Sequence, residues 1–257
     1  MKLLTIARDL RRRRARERQR LFVAEGVRSV EELLRSSLVV RGVLVAPQLG
    51  GAQRGAALLD LLRQRDAAVT EVTEREFASA AETDSPQGVL AVGEIPDRAL
   101  DELPPDGPLR LVLLDGVQDP GNVGTIVRTA AALGASATLA LPGTVDLWNA
   151  KVVRSAMGAQ FHHLALGCTW EEIDSFHARV RLKLWGADSA GDPFTGDEER
   201  DWPERLALVV GNEGTGLGPA ARARLDRTIA LPISPLVESL NVAVAAGILL
   251  FELGTRK

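Results

Sequence analysis

The chain has one cysteine, three histidines, no tyrosine and few aromatics. With Cys168 alone, an internal disulfide and a cysteine-based zinc cluster are both excluded, and such usage suits a reducing compartment. His162 and His163 are adjacent and His177 has no partner at H-x-x-x-H spacing, so no metal site is expected. Aromatics at 4% are too sparse for a base-stacking platform. No apolar run reaches the roughly 20 residues that a membrane-crossing helix needs, so no membrane association is expected. The first residues, MKLLTIARDLRRRRARERQR, lack the long apolar stretch and small-residue cleavage site of a secretory signal. Their Arg-rich, acid-poor composition is also that of a mitochondrial presequence; a cytoplasmic location is the expectation.

What is present suffices for folding without staples: 257 residues, 46% of them hydrophobic, allow one large or two modest domains. The net charge of −3 is unevenly spread. Residues 1–20 carry nine Lys or Arg and two acids, a balance of +7, which leaves −10 for the remainder. Clustered cations gain affinity for nucleic acid by releasing counterions; a solvated, partly frayed helix explains them equally well.

After the basic helix, FVAEGVRSVEELLRSSLVVRGVLVAP reads as strand, helix and strand, with Val27, Val30, Leu33 and Leu34 at helical spacing. A helix near 55–65, a strand near 68–72 and a strand at 88–92 complete a small α/β domain over 1–94. Residues 95–108 hold four prolines and read as a linker. From Leu109 to the end, strands and helices alternate: helices are predicted at 122–133, 151–159, 170–179, 219–225 and 237–253. That alternation predicts a parallel sheet covered on both faces.

Ligands of open parallel sheets bind beyond the carboxyl ends of the strands. Three Gly-, Asn- and Pro-rich loops leave strands at that end: DGVQDPGNVGTIVRTA (115–130), GNEGTGLGP (211–219) and LPISPLVESLN (231–241). In the first, Arg128 turns away from the apolar face set by Val123, Ile126, Val127 and Ala130, as an ordinary surface charge would. Asp115 and Asn122 fit strand-end and helix-start caps. The second lacks G-x-x-x-x-G-K-[ST], and Glu213 would repel phosphates. In the third, the rigid Pro232–Ile233–Ser234–Pro235 stretch offers backbone groups that suit an adenine edge. Ser239 and Asn241 are cap-type residues, with Ser239 the better placed to start a helix.

Taken together, NVGTIVRTAAALGA, LVVGNEGTGL and LPISPLVESLNVAVAAGILL resemble the three successive motifs of the SpoU (TrmH-type) RNA ribose 2′-O-methyltransferases. RLFVAEGVRSVEELL and SPQGVLAV resemble the small substrate-binding domain that precedes the catalytic one in many members. The resemblance implies a C-terminal parallel-sheet domain with a deep trefoil knot over 109–257, a homodimer, S-adenosylmethionine as cofactor and RNA as substrate, with rRNA favoured over tRNA. Carried over by motif, Asn122, Arg128, Glu213, Ser239 and Asn241 are the catalytic set. Gly211, Asn212, Gly216, Leu231, Ile233, Ser239 and Leu240 fall where cofactor contacts lie. Arg128, permanently protonated, would stabilise charge on the attacking ribose oxygen rather than act as a base. The basic N-terminus would add an RNA backbone contact, and the RNA would be a structured one read by shape. Two other readings are a non-catalytic RNA-binding or ribosome-assembly protein on the same fold, and an ATP- or NAD-dependent enzyme resting on the Gly-rich loops alone.

Overall fold

The computed structural model describes residues 2–194 and 202–254. The chain divides into two compact units, one comprising the chain up to Asp97 together with Trp148–His162, the other comprising Arg98–Leu147 and the chain from His163 onward.

The first unit begins with α1 (Leu3–Asp9), α2 (Arg13–Gln19), β1 (Leu21–Glu25), α3 (Val27–Arg35), β2 (Val40–Val45), α4 (Gln53–Gln64), β3 (Val69–Glu71), α5 (Glu74–Ala78) and β4 (Val89–Glu94). Its sheet runs β1-β4-β2-β3, with β4 antiparallel to both neighbours and β3 parallel to β2. Helix α3 buries Val27, Val30, Leu33 and Leu34, the face its spacing predicts.

The basic N-terminal stretch is part of this core. One helix was expected there; two form, because Ala7 and Leu10 turn inward to pack with Val23, Leu44, Phe77 and Val92. Arg16 is only 3% exposed, and its Nη1 donates to the carbonyls of Leu10 at 2.7 Å and Arg11 at 3.1 Å, closing the end of α1. Arg8 donates to Ser79 Oγ, Arg18 to Asp9 and Arg13 to Glu17. The side chains of Arg11 and Arg14 are exposed and make no hydrogen bond or ion pair among the described residues.

The second unit starts with β5 (Leu109–Asp115), α6 (Pro120–Ala132) and β6 (Ala137–Ala140). The chain then returns to the first unit for α7 (Ala150–Ser155), where Trp148 and Phe161 pack against Phe22 at ring distances of 4.5 and 5.6 Å. Back in the second unit come β7 (Leu164–Gly167), α8 (Trp170–Val180), β8 (Lys183–Pro193), β9 (Arg205–Gly211), α9 (Pro219–Arg222), β10 (Arg227–Ala230) and α10 (Val242–Gly254).

These six strands form a wholly parallel sheet in the order β10-β8-β9-β5-β6-β7, as the alternation predicts. Alternate residues Leu111, Leu113, Ala207 and Val209 pack with Trp170, Ile173 and Phe176 of α8. Residues one step out of phase face the other way. Leu206 and Leu208 meet Leu250 and Leu253 of α10, which also packs on α6. Burial of both faces explains why β5 and β9 read as continuous apolar runs. The tips of β5, β9 and β10 thereby present their loops at one edge of the sheet.

Candidate active site

Three loops leave those tips. The first is set by Asp119, whose side chain accepts from Asn122 N–H at 2.9 Å and starts α6, with Pro120 in the first turn. Asn122 therefore lies inside the helix rather than capping it. The Asp-Pro pair was the available signal for this boundary.

Glu213, in the second loop, reaches back to the first. Its Oε1 accepts from Asn122 Nδ2 at 3.0 Å and from Asp119 N–H at 3.2 Å, while its Oε2 accepts from Gln118 N–H at 3.2 Å. Desolvation pushes the Glu213 carboxyl up, but the hydrogen bonds from Asn122 and from backbone N–H groups outweigh it, leaving it below the usual carboxylate range. The order that this carboxylate lends the loops is present above the ordinary carboxylate pKa and lost only as pH falls through the depressed folded value. At neutral pH Glu213 is an anion with both oxygens occupied, which suits it to holding loops together.

The third loop joins through Asn241, whose Nδ2 donates to Asn122 Oδ1 at 2.9 Å. Asn241 Oδ1 accepts from the N–H groups of Ala243 at 2.9 Å and Val244 at 3.3 Å, so Asn241 is the cap of α10. This corrects two sequence expectations: α10 starts at Val242 rather than Val237, and the capping residue is Asn241 rather than Ser239. A chain of donors thus runs from the start of α10 through two amides to one carboxylate, fixing the orientation of both amides.

The remaining predicted residues are placed differently. The Arg128 side chain is exposed on α6 and makes no hydrogen bond or ion pair among the described residues, so it is not drawn into the Glu213 network. Ser239 is likewise exposed and makes no hydrogen bond among the described residues. Asn212 is committed to the loop itself: its Oδ1 accepts from Gly214 N–H, Thr215 N–H and Thr215 Oγ, and its Nδ2 donates to the Gly116 carbonyl at 2.9 Å. The backbones of Asn212 and Gly216 pair with each other at 2.9 and 3.0 Å, with Gly216 at φ +69°. Gly211 has no room for a side chain, since a Cβ there would lie 2.3 to 2.5 Å from backbone atoms of Gly216 and Leu217. Asp115 Oδ2 accepts from Gly218 N–H at 2.7 Å, a tie between loops that spacing does not reveal.

The third loop leaves backbone groups unpartnered beside apolar side chains. Leu231 and Ile233 are half-buried, Leu240 is 36% exposed, and the N–H and C=O of Ile233 have no partner among the described residues. Apolar side chains with a few free backbone groups are the usual lining of a small-molecule site. Between α6 and α10 runs an open groove of about 550 Å³, lined by Asn122, Thr125, Thr129, Asn241, Val244 and Ile248, among others. Among the described residues no group of three or more His, Cys, Asp or Glu is arranged to hold a metal ion, and no helix is long and apolar enough to cross a membrane.

Fold and loops together define an α/β protein whose parallel sheet carries three strand-tip loops tied to one another by Glu213, Asn122 and Asn241. The chain belongs to the SpoU rRNA Methylase family, whose sequence profile matches residues 109–251; that of the MRM3-like substrate binding domain matches residues 5–91. It is 33% identical to the Bacillus subtilis 23S rRNA (guanosine(2553)-2′-O)-methyltransferase RlmP, covering 95% of this chain and 92% of that protein. Among solved structures, it resembles the SpoU methyltransferase AviRb from Streptomyces viridochromogenes in complex with AdoMet, with a TM-score of 0.85, 29% identity and coverage of 98% and 97%. The AdoMet-bound rRNA methyltransferase from Sinorhizobium meliloti gives a TM-score of 0.82, 28% identity and coverage of 98% and 93%.

Proposed function

We propose that this protein transfers the methyl group of S-adenosylmethionine to a ribose 2′-hydroxyl of structured rRNA. The single observation that carries the reading is the hydrogen-bonded chain from Asn241 through Asn122 to Glu213, which joins all three motif loops at the strand tips. Bound S-adenosylmethionine would supply an electrophilic methyl on a sulfonium and leave as the thioether S-adenosylhomocysteine, with the hydroxyl proton passing to solvent. Gly211, Gly216, Leu231, Ile233 and Leu240 hold it by backbone and apolar contact. Asn122, Glu213 and Asn241 position the loops, and Ser239 is free to meet a ligand. Arg128 contacts the RNA at the reacting ribose, where its charge offsets the negative charge developing on the oxygen and its fork suits the adjacent phosphate. Incubation with methyl-labelled S-adenosylmethionine, total rRNA and total tRNA tests this. Label on rRNA ribose is expected; no transfer, or transfer to tRNA alone, would overturn it.

By sequence motif we assign the domains as 1–94, 95–108 and 109–257, with a trefoil knot in the last, although Trp148–His162 packs within the first compact unit. Support for the knot is the family match over residues 109–251. A homodimer fits the apolar strip along the α6–α10 groove, where Val244 is 51% and Ile248 41% exposed. Equilibrium sedimentation should read twice 27.5 kDa; one chain mass at micromolar concentration would contradict it. A cytoplasmic location, where rRNA is at hand, goes with this reading.

For the basic N-terminus, the RNA contact narrows to Arg11 and Arg14, since the other described arginines of this stretch already have protein partners. Deleting the stretch would remove Ala7 and Leu10 from the core. The informative variant is Arg11→Ser with Arg14→Ser, which should lower the salt dependence of RNA binding by about two units of slope at roughly 0.9 per phosphate. An unchanged slope would make both residues ordinary solvated charges.

A further inference from the structure

In the sheet, β9 lies between β5 and β8, so the loop that follows it can be gripped from both sides. The β5 side supplies Asp115, bonded to Gly218 N–H. On the other side the ladder between β8 and β10 breaks. Thr228 pairs with Gly186, and the next residue, Ile229, pairs with Asp192, so one step along β10 answers to six along β8; residues 187–191 form an excursion on that side, while Ala187 still pairs with Val210 of β9. A bulge that only twists a strand needs about one extra residue. Five suggest a task beyond twisting.

The excursion is built tightly. Asp188 Oδ1 accepts from Ala190 N–H at 3.0 Å, and a Cβ on Gly191 would lie 2.7 to 2.8 Å from the backbone of Thr228 and Ile229. What it delivers is Asp188 Oδ2, 2.5 Å from Arg222 Nη2. Arg222 in turn donates through Nε to the Leu217 carbonyl at 3.1 Å. The Asp188 side chain is 12% exposed, and a Cβ built on Gly216 would sit 3.7 Å from its Oδ2 and 3.8 Å from Arg222 Nη2. One carboxylate–guanidinium pair therefore braces the Gly216–Leu217 turn from the β8 side, opposite the Asp115 tie.

We propose that Asp188 and Arg222 are a positioning pair for the methyl donor, holding the 211–218 loop in its ligand-ready shape so that little ordering is left for binding. The inference rests on the reading of that loop as part of the donor's cradle. Preformed loops gain affinity by lowering the ordering cost of association. Loss of the pair should therefore appear in donor affinity and not in the chemical step. A comparison stands close by: Arg224 makes a two-pronged pair with Asp174 of α8, at 2.8 and 2.7 Å, without touching the loop.

The test is calorimetric titration of the full chain with S-adenosylmethionine, together with turnover on rRNA. Asp188→Ala should weaken donor binding about tenfold, the loss of one charge-assisted contact, and leave kcat at saturating donor within about twofold. Asp174→Ala should leave both values within about twofold, and the exchanged pair Asp188→Arg with Arg222→Asp should recover part of the affinity. Asp188→Asn, which keeps size and the acceptor for Ala190, replaces Asp188→Ala if that variant fails to fold. Donor affinity unchanged in the Asp188 variant, or lowered equally by Asp174→Ala, would overturn the inference. A wild-type chain that binds no S-adenosylmethionine would overturn the cofactor reading itself, and this inference with it.

Discussion

Arg128→Ala should lower methyl transfer about 10²- to 10³-fold while leaving donor affinity within a few-fold. The size follows from where the side chain sits. Arg128 is exposed on α6 and has no protein partner among the described residues, so its removal leaves no buried group unsatisfied. Exposed substitutions of this kind usually change stability by no more than about 0.5 kcal/mol. An unchanged melting temperature together with a large fall in kcat would place the effect in the transition state, where charge forms on the ribose oxygen. Arg128→Lys keeps the charge but loses the planar fork and should fall between the two. Turnover at the wild-type level in Arg128→Ala would show that the residue has been given the wrong role.

Gly211→Ala should reduce donor affinity about ten- to a hundredfold, the equivalent of about 1 to 3 kcal/mol of overpacking. The added Cβ has no flexible neighbour to displace: it would meet the carbonyl carbon and oxygen of Gly216 at 2.3 and 2.4 Å and Leu217 N at 2.5 Å. The loop must open, and with it the Asn212–Gly216 backbone pair. Gly214→Ala provides the contrast within the same loop, since its Cβ would come no nearer than 3.6 Å to Asn212 Oδ1. Equal affinities for the two variants would mean that the Gly211 turn is not what shapes the donor's seat.

Local patterns foretold much of this architecture. The apolar spacing of α3 marked its buried face, and the continuous runs of β5 and β9 marked strands covered on both sides. The basic N-terminus misled because charge dominates its composition, whereas Leu10 decides its path by packing beside Phe77. The start of α10 misled for a related reason: Val237 extends the apolar pattern, but Asn241 bonds the first free N–H groups and so begins the helix later.

The site divides in the same way. Motif likeness supplied Asn122, Glu213 and Asn241, yet their hydrogen bonds join residues 91 and 119 positions apart, which no local spacing encodes. The excursion carrying Asp188 was hidden as well, because RLKLWGAD reads as a strand that ends at Asp188, and its resumption opposite Ile229 shows only when β10 is laid beside it.

The most direct measurement is a crystal structure of this chain with S-adenosylmethionine bound. The donor should lie against the Gly211–Gly218 and Leu231–Leu240 loops, with its adenine edge on the Ile233 backbone and its methyl directed to the side of α6 that carries Arg128. A donor seated away from these loops, or a methyl turned from that guanidinium, would contradict the account.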